Sequence, residues 1–292
     1  MVKFSPNRLN DIFSAINGKK ILVLGDIMID EYLWGKVNRL SPEAPVPIIE
    51  IEDESLRFGG GANVALNLKT LGCEPIIIGV AGNDRMGEIF LNMLSDSQMR
   101  VDGIVQTKER PTTVKTRIIG ENQHIARVDR EKTDSISESV FSNIKSKLDD
   151  ILPETEAVIL QDYNKGLLTK ELIEYCITKA NEKNKIITVD PKFINFMEYK
   201  NVTVFKPNVK ETAQALACIL DTEEDIQKAG KELKQRLQAK NILLTLGARG
   251  MALITESDEY AHVNAKTRKV ADVSGAGDTV ISDVFRRLWL LR

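Results

Sequence analysis

The sequence has no surplus of basic residues. Its 292 residues contain 40 Lys and Arg against 42 Asp and Glu, which gives a formal charge of −2 at pH 7. Proteins that bind nucleic acid through its phosphates usually carry a net positive charge or a basic surface. The charge balance therefore argues against nucleic acid as a partner, and any anion site must be built locally from a few residues.

Cysteine is scarce and long apolar runs are missing. Cys73, Cys176 and Cys218 lie far apart and include no Cys-x-x-Cys pair, a pattern typical of a reduced compartment without a zinc site. The longest apolar segments, such as 76–81, are far shorter than the roughly 20 residues that a membrane-spanning helix needs. No apolar leader follows Met1, so we predict a cytoplasmic protein with no membrane association.

Short apolar segments recur along the chain, and helical patterns lie between them. The first segment, 20–26, is apolar up to a Gly-Asp pair, as in a strand buried on both faces of a parallel sheet. The alternation predicts an α/β fold in which helices cover both sides of a mainly parallel sheet. The other predicted strands are 75–80, 157–160, 186–189, 202–205 and 242–246, and the predicted helices are 62–71, 168–180 and 225–237.

Two segments interrupt this alternation. Residues 31–58 show no helical period and contain three prolines, and residues 112–130 alternate between apolar and polar side chains around a Gly-Glu-Asn turn. Both patterns indicate antiparallel strands with one polar face. We expect these segments to form a small β-sheet lid inserted into a single domain that spans 1–292.

A glycine-rich segment near the C-terminal end carries the clearest chemical signal. Gly275-Ala276-Gly277-Asp278 precedes an apolar helical run, so the first free N–H groups of a helix would face an anion held against these small residues. A carboxylate beside such an anion makes chemical sense when it takes a proton from an attacking hydroxyl. The alternative is that Asp278 only caps the helix.

Known phosphate-binding motifs narrow the class of enzyme. The chain has no Gly-x-x-x-x-Gly-Lys-Ser/Thr P-loop and lacks the His-Arg-Asp and Asp-Phe-Gly motifs of protein kinases. It does have an ordered series of glycine-rich or polar turns at the ends of predicted elements, in 25–30, 59–65, 206–211, 245–250 and 272–279. This ordered set resembles the ribokinase/PfkB family of sugar kinases, over nearly the whole chain.

Finer features resemble the heptose-7-phosphate kinase branch of that family. They lie in 26–32, 39–47, 162–166, 189–192 and 272–275. The resemblance implies that ATP, with Mg²⁺, phosphorylates the anomeric hydroxyl of D-glycero-D-manno-heptose 7-phosphate to the 1,7-bisphosphate used for ADP-heptose. It also implies a ribokinase-like three-layer α/β/α fold, a free kinase or one fused to an adenylyltransferase, and a homodimer through the β lid, in which Trp34 could pack.

The resemblance assigns roles to residues at matching positions. Asp278 would be the general base, and the N–H groups of 275–277 would form the anion hole. The nucleotide would be bound by Asn208, Val209, Lys210, Glu211, Thr245, Gly247 and Gly250. Glu211 would hold Mg²⁺ through water. The residues also allow other interpretations, because Asn208 and Glu211 fit a capping box and the glycines fit ordinary turns.

The sugar would bind between the first strand and the glycine run. Glycines admit a sugar ring close to the backbone, and Arg suits bidentate recognition of its phosphate. Alternatively, Asp26 ends a strand in a simple turn, and a lone basic residue on a strand is more often solvated. The expected substrate-binding residues are Asp26, Asp30, Gly60, Gly61, Asn63, Lys115, Arg117, Arg127, Asp162 and Lys165, with Lys165 the strongest cation candidate.

The end of the chain departs from the family pattern. After Ser282 the family places a small residue and then roughly 30–40 residues that help to wall the adenine pocket, whereas this chain continues with Asp283. We therefore expect weaker nucleotide binding, lower stability or an oligomer contact through Leu288, Trp289 and Leu291. Two alternatives to the heptose kinase stay open: a kinase of another sugar, and a shortened, impaired remnant that only binds or dimerises.

Overall fold

The computed structural model describes residues 14–121, 123–265 and 275–288, with side chains described as far as Ser282. The strands are β1 (Lys20–Gly25), β2 (Ile27–Leu40), β3 (Pro47–Gly60), β4 (Glu74–Gly82), β5 (Ile104–Thr107), β6 (Val114–Gly120), β7 (Gln123–Arg130), β8 (Ala157–Gln161), β9 (Ile186–Asp190), β10 (Val204–Phe205), β11 (Asn241–Thr245), β12 (Met251–Ile254) and β13 (Tyr260–Val263). The α-helices are α1 (Gly61–Thr70), α2 (Arg85–Asp96), α3 (Glu138–Ile151), α4 (Lys170–Glu182), α5 (Val209–Leu216), α6 (Glu223–Leu237) and α7 (Ala276–Leu288).

Nine of these strands form the main sheet, in the order β13-β12-β11-β10-β9-β8-β1-β4-β5. All neighbouring pairs from β11 to β5 are parallel, and β12 runs antiparallel to both of its neighbours. Strands that are covered on both faces consist of nearly continuous apolar residues. Strand β1 shows this, because the side chains of Ile21, Leu22, Val23 and Leu24 are fully buried. The predicted mainly parallel sheet is confirmed.

The alternation of side chains along β1 divides the core into two layers. Leu22 and Leu24 belong to an apolar cluster that includes side chains of α3, α4 and α6. Ile21 and Val23 belong to a second cluster, which includes side chains of α1, α2 and α7. Successive side chains of a strand point to opposite faces, so each cluster lies on its own side of the sheet. This is the expected three-layer α/β/α arrangement.

A second sheet of four strands, in the order β3-β2-β6-β7, forms the lid. The pairs β2–β3 and β6–β7 are antiparallel, as predicted. The central pair β2–β6, which joins the two segments, is parallel, and no prediction was made for this pairing from the sequence. Both strands leave the carboxyl-terminal edge of the main sheet, β2 directly after β1 and β6 after β5, and therefore run outward in the same direction.

Some boundaries differ from the sequence prediction. The helix expected over 168–180 begins at Lys170, because the side chain of Thr169 accepts a hydrogen bond from the Leu172 N–H and caps the helix there. The strand expected over 202–205 is only the short β10. The helices α2 and α3 and the β12–β13 hairpin were not predicted.

Two sequence predictions concern residues that are partly outside the described ranges. Residues 272–274 of the glycine-rich segment lie outside the described residues, and so do Trp289, Leu291 and the side chain of Leu288. Among the helices that are described, none is long and apolar enough to cross a membrane.

Candidate active site

A cavity of about 700 Å³ lies between the lid and the carboxyl-terminal edge of the main sheet. This volume is in the range of pockets that bind small molecules. Its main-body lining includes Asn63, Tyr163, Gly275 and Asp278, and its lid lining includes Asp30, Tyr32, Arg57, Lys115, Arg117 and Arg127. Residues from segments far apart in the sequence therefore converge on one space.

Asp278 lies in the first turn of α7, and only 4% of its surface is exposed. Its Oδ1 accepts hydrogen bonds from Tyr163 Oη at 2.7 Å and Gln161 Nε2 at 3.3 Å. Its Oδ2 accepts one from Asn63 Nδ2 at 2.8 Å. These donors are side chains of other elements, whereas a residue that only caps a helix accepts from the backbone of that helix.

The surroundings of Asp278 also set its basicity. Burial raises the pKa of the Asp278 carboxyl, and the hydrogen bonds from Asn63 and Tyr163 oppose that rise. A buried carboxylate with a raised pKa at a cavity wall is a stronger proton acceptor than an exposed carboxylate. The role of Asp278 as general base stays a prediction.

The backbone at the start of α7 faces the same region. Gly275 lines the cavity, and Ala276 and Gly277 are exposed. The first N–H groups of a helix have no partner within the helix, and the helix dipole is positive at this end. The amides predicted to hold the phosphoryl group therefore lie within one helical turn of Asp278.

A buried ion pair lies under this helix start. Lys206 Nζ is 2.9 Å from Asp190 Oδ1, with side-chain exposures of 3% and 9%. Gln161 links the pair to Asp278, because its Nε2 lies 3.2 Å from Asp190 Oδ2 and 3.3 Å from Asp278 Oδ1. Sequence reasoning gave no role to these three linking residues. The available signal was that Gln161 and Asp190 end the neighbouring strands β8 and β9 and that Lys206 directly follows β10.

Asp26 and Asp162, both predicted to bind the sugar, are buried and do not line the cavity. Asp26 Oδ2 accepts the backbone N–H groups of Tyr163 at 2.8 Å and Lys165 at 3.0 Å. Asp162 Oδ2 accepts the hydroxyl of Tyr199 at 2.7 Å. Burial and repulsion by Asp162 raise the pKa of Asp26 to about 6, and burial raises the pKa of Asp162. Both carboxylates hold the turn after β8, which agrees with the strand-end interpretation of Asp26.

The lid contributes four cations to the cavity wall. Arg117 Nη1 lies 2.5 Å from Asp30 Oδ1, and its guanidinium is 5.1 Å from the ring centre of Tyr32. Sequence reasoning missed Arg57. This residue of β3 pairs with Asp30 of β2, a relationship that becomes visible only in the structure. The four cations are Arg57, Lys115, Arg117 and Arg127.

Of the remaining residues predicted to bind the sugar, some line the cavity and others do not. Gly60 and Asn63 line the cavity, and the Gly61 N–H donates to the Asp26 carbonyl at 2.8 Å. Lys165, predicted to be the best phosphate ligand, does not line the cavity. Its Nζ lies 2.8 Å from Glu131 Oε1, so this lysine ties the turn after β8 to the end of β7.

The predicted nucleotide residues lie farther along the same edge of the main sheet. Asn208 and Thr245 pair in a parallel bridge beyond β10 and β11. Asn208 and Glu211 form a capping box with two 2.9 Å hydrogen bonds, as the alternative interpretation predicted. Val209 and Lys210 follow in the first turn of α5, where Lys210 is exposed. The capping role does not prevent the same residues from contacting a nucleotide.

The two glycines after β11 differ in their surroundings. A Cβ atom at Gly247 would meet no atom within 4 Å, so the backbone there is open to a ligand. Gly250 has a φ of +95°, and a Cβ atom would lie 2.0 Å from the carbonyl oxygen of Val263. Close packing of the β12–β13 hairpin accounts for Gly250 without a nucleotide.

Glu211 is the residue expected to act on Mg²⁺. Its Oε1 lies 2.5 Å from Lys192 Nζ, and its Oε2 accepts the Asn208 N–H. Each carboxylate oxygen can accept two hydrogen bonds, so both oxygens can still accept one from water. Within the described ranges, no cluster of three or more His, Cys, Asp or Glu could hold a metal. Glu211, with one acceptor site on each oxygen left free by the described residues, fits a magnesium ion that keeps several of its waters.

Comparison with known proteins decides the family. Residues 18–288 match the model of the pfkB family of carbohydrate kinases. The chain belongs to this family. The resemblance drawn from the sequence is thus confirmed, and the protein is a carbohydrate kinase.

Two bacterial relatives are similar to this carbohydrate kinase over most of its length. It is 40% identical over 269 residues to the bifunctional protein HldE of Desulfatibacillum aliphaticivorans, which covers 92% of this chain and 55% of that protein. It is 42% identical over 266 residues to the bifunctional protein HldE of Helicobacter pylori strain G27, covering 91% and 57%. The kinase chain therefore spans little more than half the length of these relatives.

Solved structures share the fold of this carbohydrate kinase. Phosphofructokinase-2 from Escherichia coli, in its tetrameric inhibited form, has a TM-score of 0.76 at 19% identity and covers 94% of this chain and 88% of its own. Ribokinase from Arabidopsis thaliana, complexed with ribose and ATP, has a TM-score of 0.72 at 17% identity, covering 94% and 86%. The ribokinase-like fold predicted for the kinase is confirmed.

Proposed function

We propose that this kinase transfers the γ-phosphoryl group of ATP to the anomeric hydroxyl of D-glycero-D-manno-heptose 7-phosphate. The product is the 1,7-bisphosphate, which supplies ADP-heptose for bacterial lipopolysaccharide core or S-layer sugars. The choice of heptose rests on the motif resemblance, and similarity to the HldE proteins supports it. The observation that carries the proposal is that one cavity is lined by both a buried carboxylate, Asp278, and a group of lid cations.

The two kinds of residue orient a sugar phosphate in the cavity. A phosphate monoester is repelled by the carboxylate of Asp278 and attracted to the guanidinium groups of Arg57 and Arg117 on the lid. The phosphate therefore binds on the lid side, and the opposite end of the sugar lies toward Asp278. That end carries the anomeric hydroxyl in a heptose 7-phosphate.

The chemical step follows from this orientation. The sugar hydroxyl gives its proton to Asp278 while its oxygen bonds to the γ-phosphorus, and the bond from that phosphorus to the bridging oxygen of ADP breaks. The backbone N–H groups of 275–277 stabilise the charge on the γ-phosphoryl oxygens. Proton transfer and charge stabilisation thus come from one helical turn.

The nucleotide would bind at the neighbouring part of the sheet edge. Asn208, Thr245 and the open backbone at Gly247 border that region. Mg²⁺, when bound, neutralises negative charge on the ATP phosphates. Glu211 would hold it through water, since its carboxylate already bonds to Lys192 and to its own helix cap.

We also propose that the kinase works in the cytoplasm as a homodimer joined through the lid. Large apolar side chains are exposed there, with Leu40 at 65%, Ile51 at 48% and Val128 at 56%. Light scattering should give twice the chain mass for the protein and the chain mass for a Val128→Glu variant. Equal masses for the two proteins would contradict a lid dimer.

An ATP-dependent assay on a substrate panel tests the function. We expect turnover of heptose 7-phosphate above heptose, ribose and fructose 1-phosphate, and a loss of about 10²–10⁴-fold for Asp278→Asn. Asp225→Asn is the matched control, because Asp225 is likewise a carboxylate in the first turn of a helix, α6, and it does not line the cavity. Faster turnover of another sugar would replace the heptose assignment, and undiminished activity of Asp278→Asn would remove the base.

A further inference from the structure

The two oxygens of the Asp278 carboxylate have different surroundings. Oδ1 accepts two hydrogen bonds, from Tyr163 Oη at 2.7 Å and from Gln161 Nε2 at 3.3 Å. Oδ2 accepts one, from Asn63 Nδ2 at 2.8 Å. A carboxylate oxygen has two acceptor sites. Counting the donors in 14–121, 123–265 and 275–288, Oδ1 is fully used and Oδ2 has one site left.

The free site lies on the cavity side. A Cβ atom built on Gly275 would lie 3.9 Å from Oδ2 and 3.0 Å from the Asn63 amide, and both of these residues line the cavity. Oδ1 lies between the buried Gln161, which is 1% exposed, and the cavity-lining Tyr163, whose hydroxyl already bonds to it. A hydroxyl that enters the cavity can therefore bond to Oδ2 without displacing a protein donor.

We infer that Tyr163 is a positioning residue that, together with Gln161, occupies Oδ1 of Asp278 and leaves Oδ2 to take the proton of the acceptor hydroxyl. The inference rests on the proposed function, because it assumes that Asp278 is the base. It specifies which oxygen of the Asp278 carboxylate takes the proton, and it names Tyr163 as the side chain that determines this. It also gives Asp26 a role other than sugar contact.

The turn that carries Tyr163 is itself fixed by hydrogen bonds to two buried carboxylates. Asp26 Oδ2 accepts the backbone N–H groups of Tyr163 and Lys165, and Asp162 Oδ1 accepts the Asn164 N–H at 2.7 Å. The turn after β8 is thereby fixed at three successive amides. A turn held this firmly presents the tyrosine hydroxyl to Asp278 at a defined distance, which a catalytic carboxylate requires.

Burial and two charged neighbours also act on Asp278. Burial raises its pKa, the hydrogen bonds from Asn63 and Tyr163 lower it, and of the charges Asp190 raises it and Lys206 lowers it. Burial and the proximity of Asp278 raise the pKa of the Tyr163 hydroxyl far above its usual value. Tyr163 consequently stays protonated and donates to the carboxylate throughout the working pH range.

The test is the pH profile of the chemical step in Tyr163→Phe. Loss of the hydroxyl removes the shortest hydrogen bond to the ionised carboxylate, so the pKa of Asp278 should rise. Single-turnover rates should be measured between pH 5 and 9. The acid limb of the pH–rate profile should move to higher pH by about one pH unit, so that the rate at pH values below the limb falls about tenfold. Rates should recover at high pH, and KM for the sugar phosphate should change less than about twofold.

Tyr175→Phe is the matched control. Its hydroxyl also donates to a carboxylate, that of Asp149 at 2.5 Å, but neither residue lines the cavity or is hydrogen-bonded to the turn after β8 within the described part of the chain. Both variants lose one tyrosine–carboxylate hydrogen bond, and only Tyr163→Phe should move the acid limb. An acid limb that stays in place in Tyr163→Phe, or moves equally in Tyr175→Phe, would overturn the inference.

A second variant tests the same inference if Tyr163→Phe does not fold. Gln161→Leu removes the other Oδ1 donor and should displace the limb in the same direction by a smaller amount, because its hydrogen bond is longer. Failure of the proposed function looks different: Asp278→Asn would then keep its activity. An inactive Asp278→Asn with unmoved limbs in both donor variants would reject only the inference.

Discussion

The buried ion pair of Lys206 and Asp190 lies directly beneath the first turn of α7. Nζ and Oδ1 are 2.9 Å apart, and a Cβ atom at Gly277 would be 3.7 Å from Nζ and 3.6 Å from Asp190 Oδ2. The proposed phosphoryl-binding turn thus rests on a pair with no net charge. The positive end of the helix remains the main attraction for an anion there.

Lys206→Met should destabilise the protein strongly. Removal of one partner of a buried ion pair leaves the other charge without compensation, at a cost of about 3–5 kcal/mol. The double variant Lys206→Met/Asp190→Leu should be more stable than Lys206→Met, because it leaves no unpaired charge. Urea unfolding at neutral pH measures both. A single variant as stable as the unchanged protein would show that water reaches Asp190.

The stability of the protein should depend on the ionisation of Asp26. Its pKa rises from 3.8 to about 6 on folding, so the folded state binds this proton more tightly than the unfolded chain. The resulting stabilisation is fully present below pH 3.8 and is lost as the pH rises through about 6. It amounts to about 3 kcal/mol for a shift of this size.

Asp26→Asn isolates this contribution. The amide oxygen can still accept the backbone N–H groups of Tyr163 and Lys165, but the side chain no longer titrates. The free energy of unfolding of the variant, relative to the unchanged protein, should therefore increase between pH 4 and 7. Urea titrations at both pH values give the difference. The contribution of Asp278, whose pKa is also raised, cancels from it, whereas part of the difference belongs to the repulsion between Asp26 and Asp162. A constant difference would contradict burial of an ionised Asp26.

Most of the main sheet could be predicted from the sequence, because the relevant information is local. A strand such as β1, covered on both faces, is an apolar run that ends in Gly25 and Asp26. Helix caps are local too, and the capping box of Asn208 and Glu211 was predicted from its spacing alone. The helix α2 was missed although Asp84 caps it, which was a usable signal.

The parallel pairing of β2 with β6 could not be predicted in the same way. Val114 of β6 pairs with Ile29 of β2, far away in the sequence. That pairing depends on where each strand leaves the main sheet, and hence on strand order. Alternation of side chains indicates that a strand has one polar face but not which neighbour it pairs with.

The candidate site shows the same limit. Asp278 and the lid residue Arg117 were selected from motif and residue type, and both line the cavity. Tyr163 was not selected, because its contact with Asp278 requires the turn after β8 to lie beside the start of α7. Lys165 was the strongest cation candidate in the sequence, and in the fold it pairs with Glu131.

Gly275→Ala and Gly277→Ala should change stability in opposite directions. Gly275 has a φ of +77°, and a Cβ atom there would press on the Asn63 amide at 3.0 Å, so alanine should cost about 1 kcal/mol or more. Gly277 lies inside α7 with only ordinary contacts around its Cβ position, so alanine should add up to about 1 kcal/mol. Thermal unfolding of the two variants measures the contrast. Equal effects would mean that the two glycines have the same backbone requirement.

Arg117→Ala should weaken binding of the phosphorylated sugar in particular. The guanidinium lines the cavity and pairs with Asp30 at 2.5 Å, and loss of a charged hydrogen bond to a phosphate should raise KM about 10–100-fold. KM for the sugar without its phosphate should stay nearly constant. Steady-state kinetics with both sugars measures this difference. Lys36→Ala is the control, because that lysine is an exposed lid residue paired with Glu52. Equal losses for the two sugars would show that Arg117 only holds the lid in place, whereas a loss confined to the sugar phosphate assigns the phosphate to the lid side of the cavity.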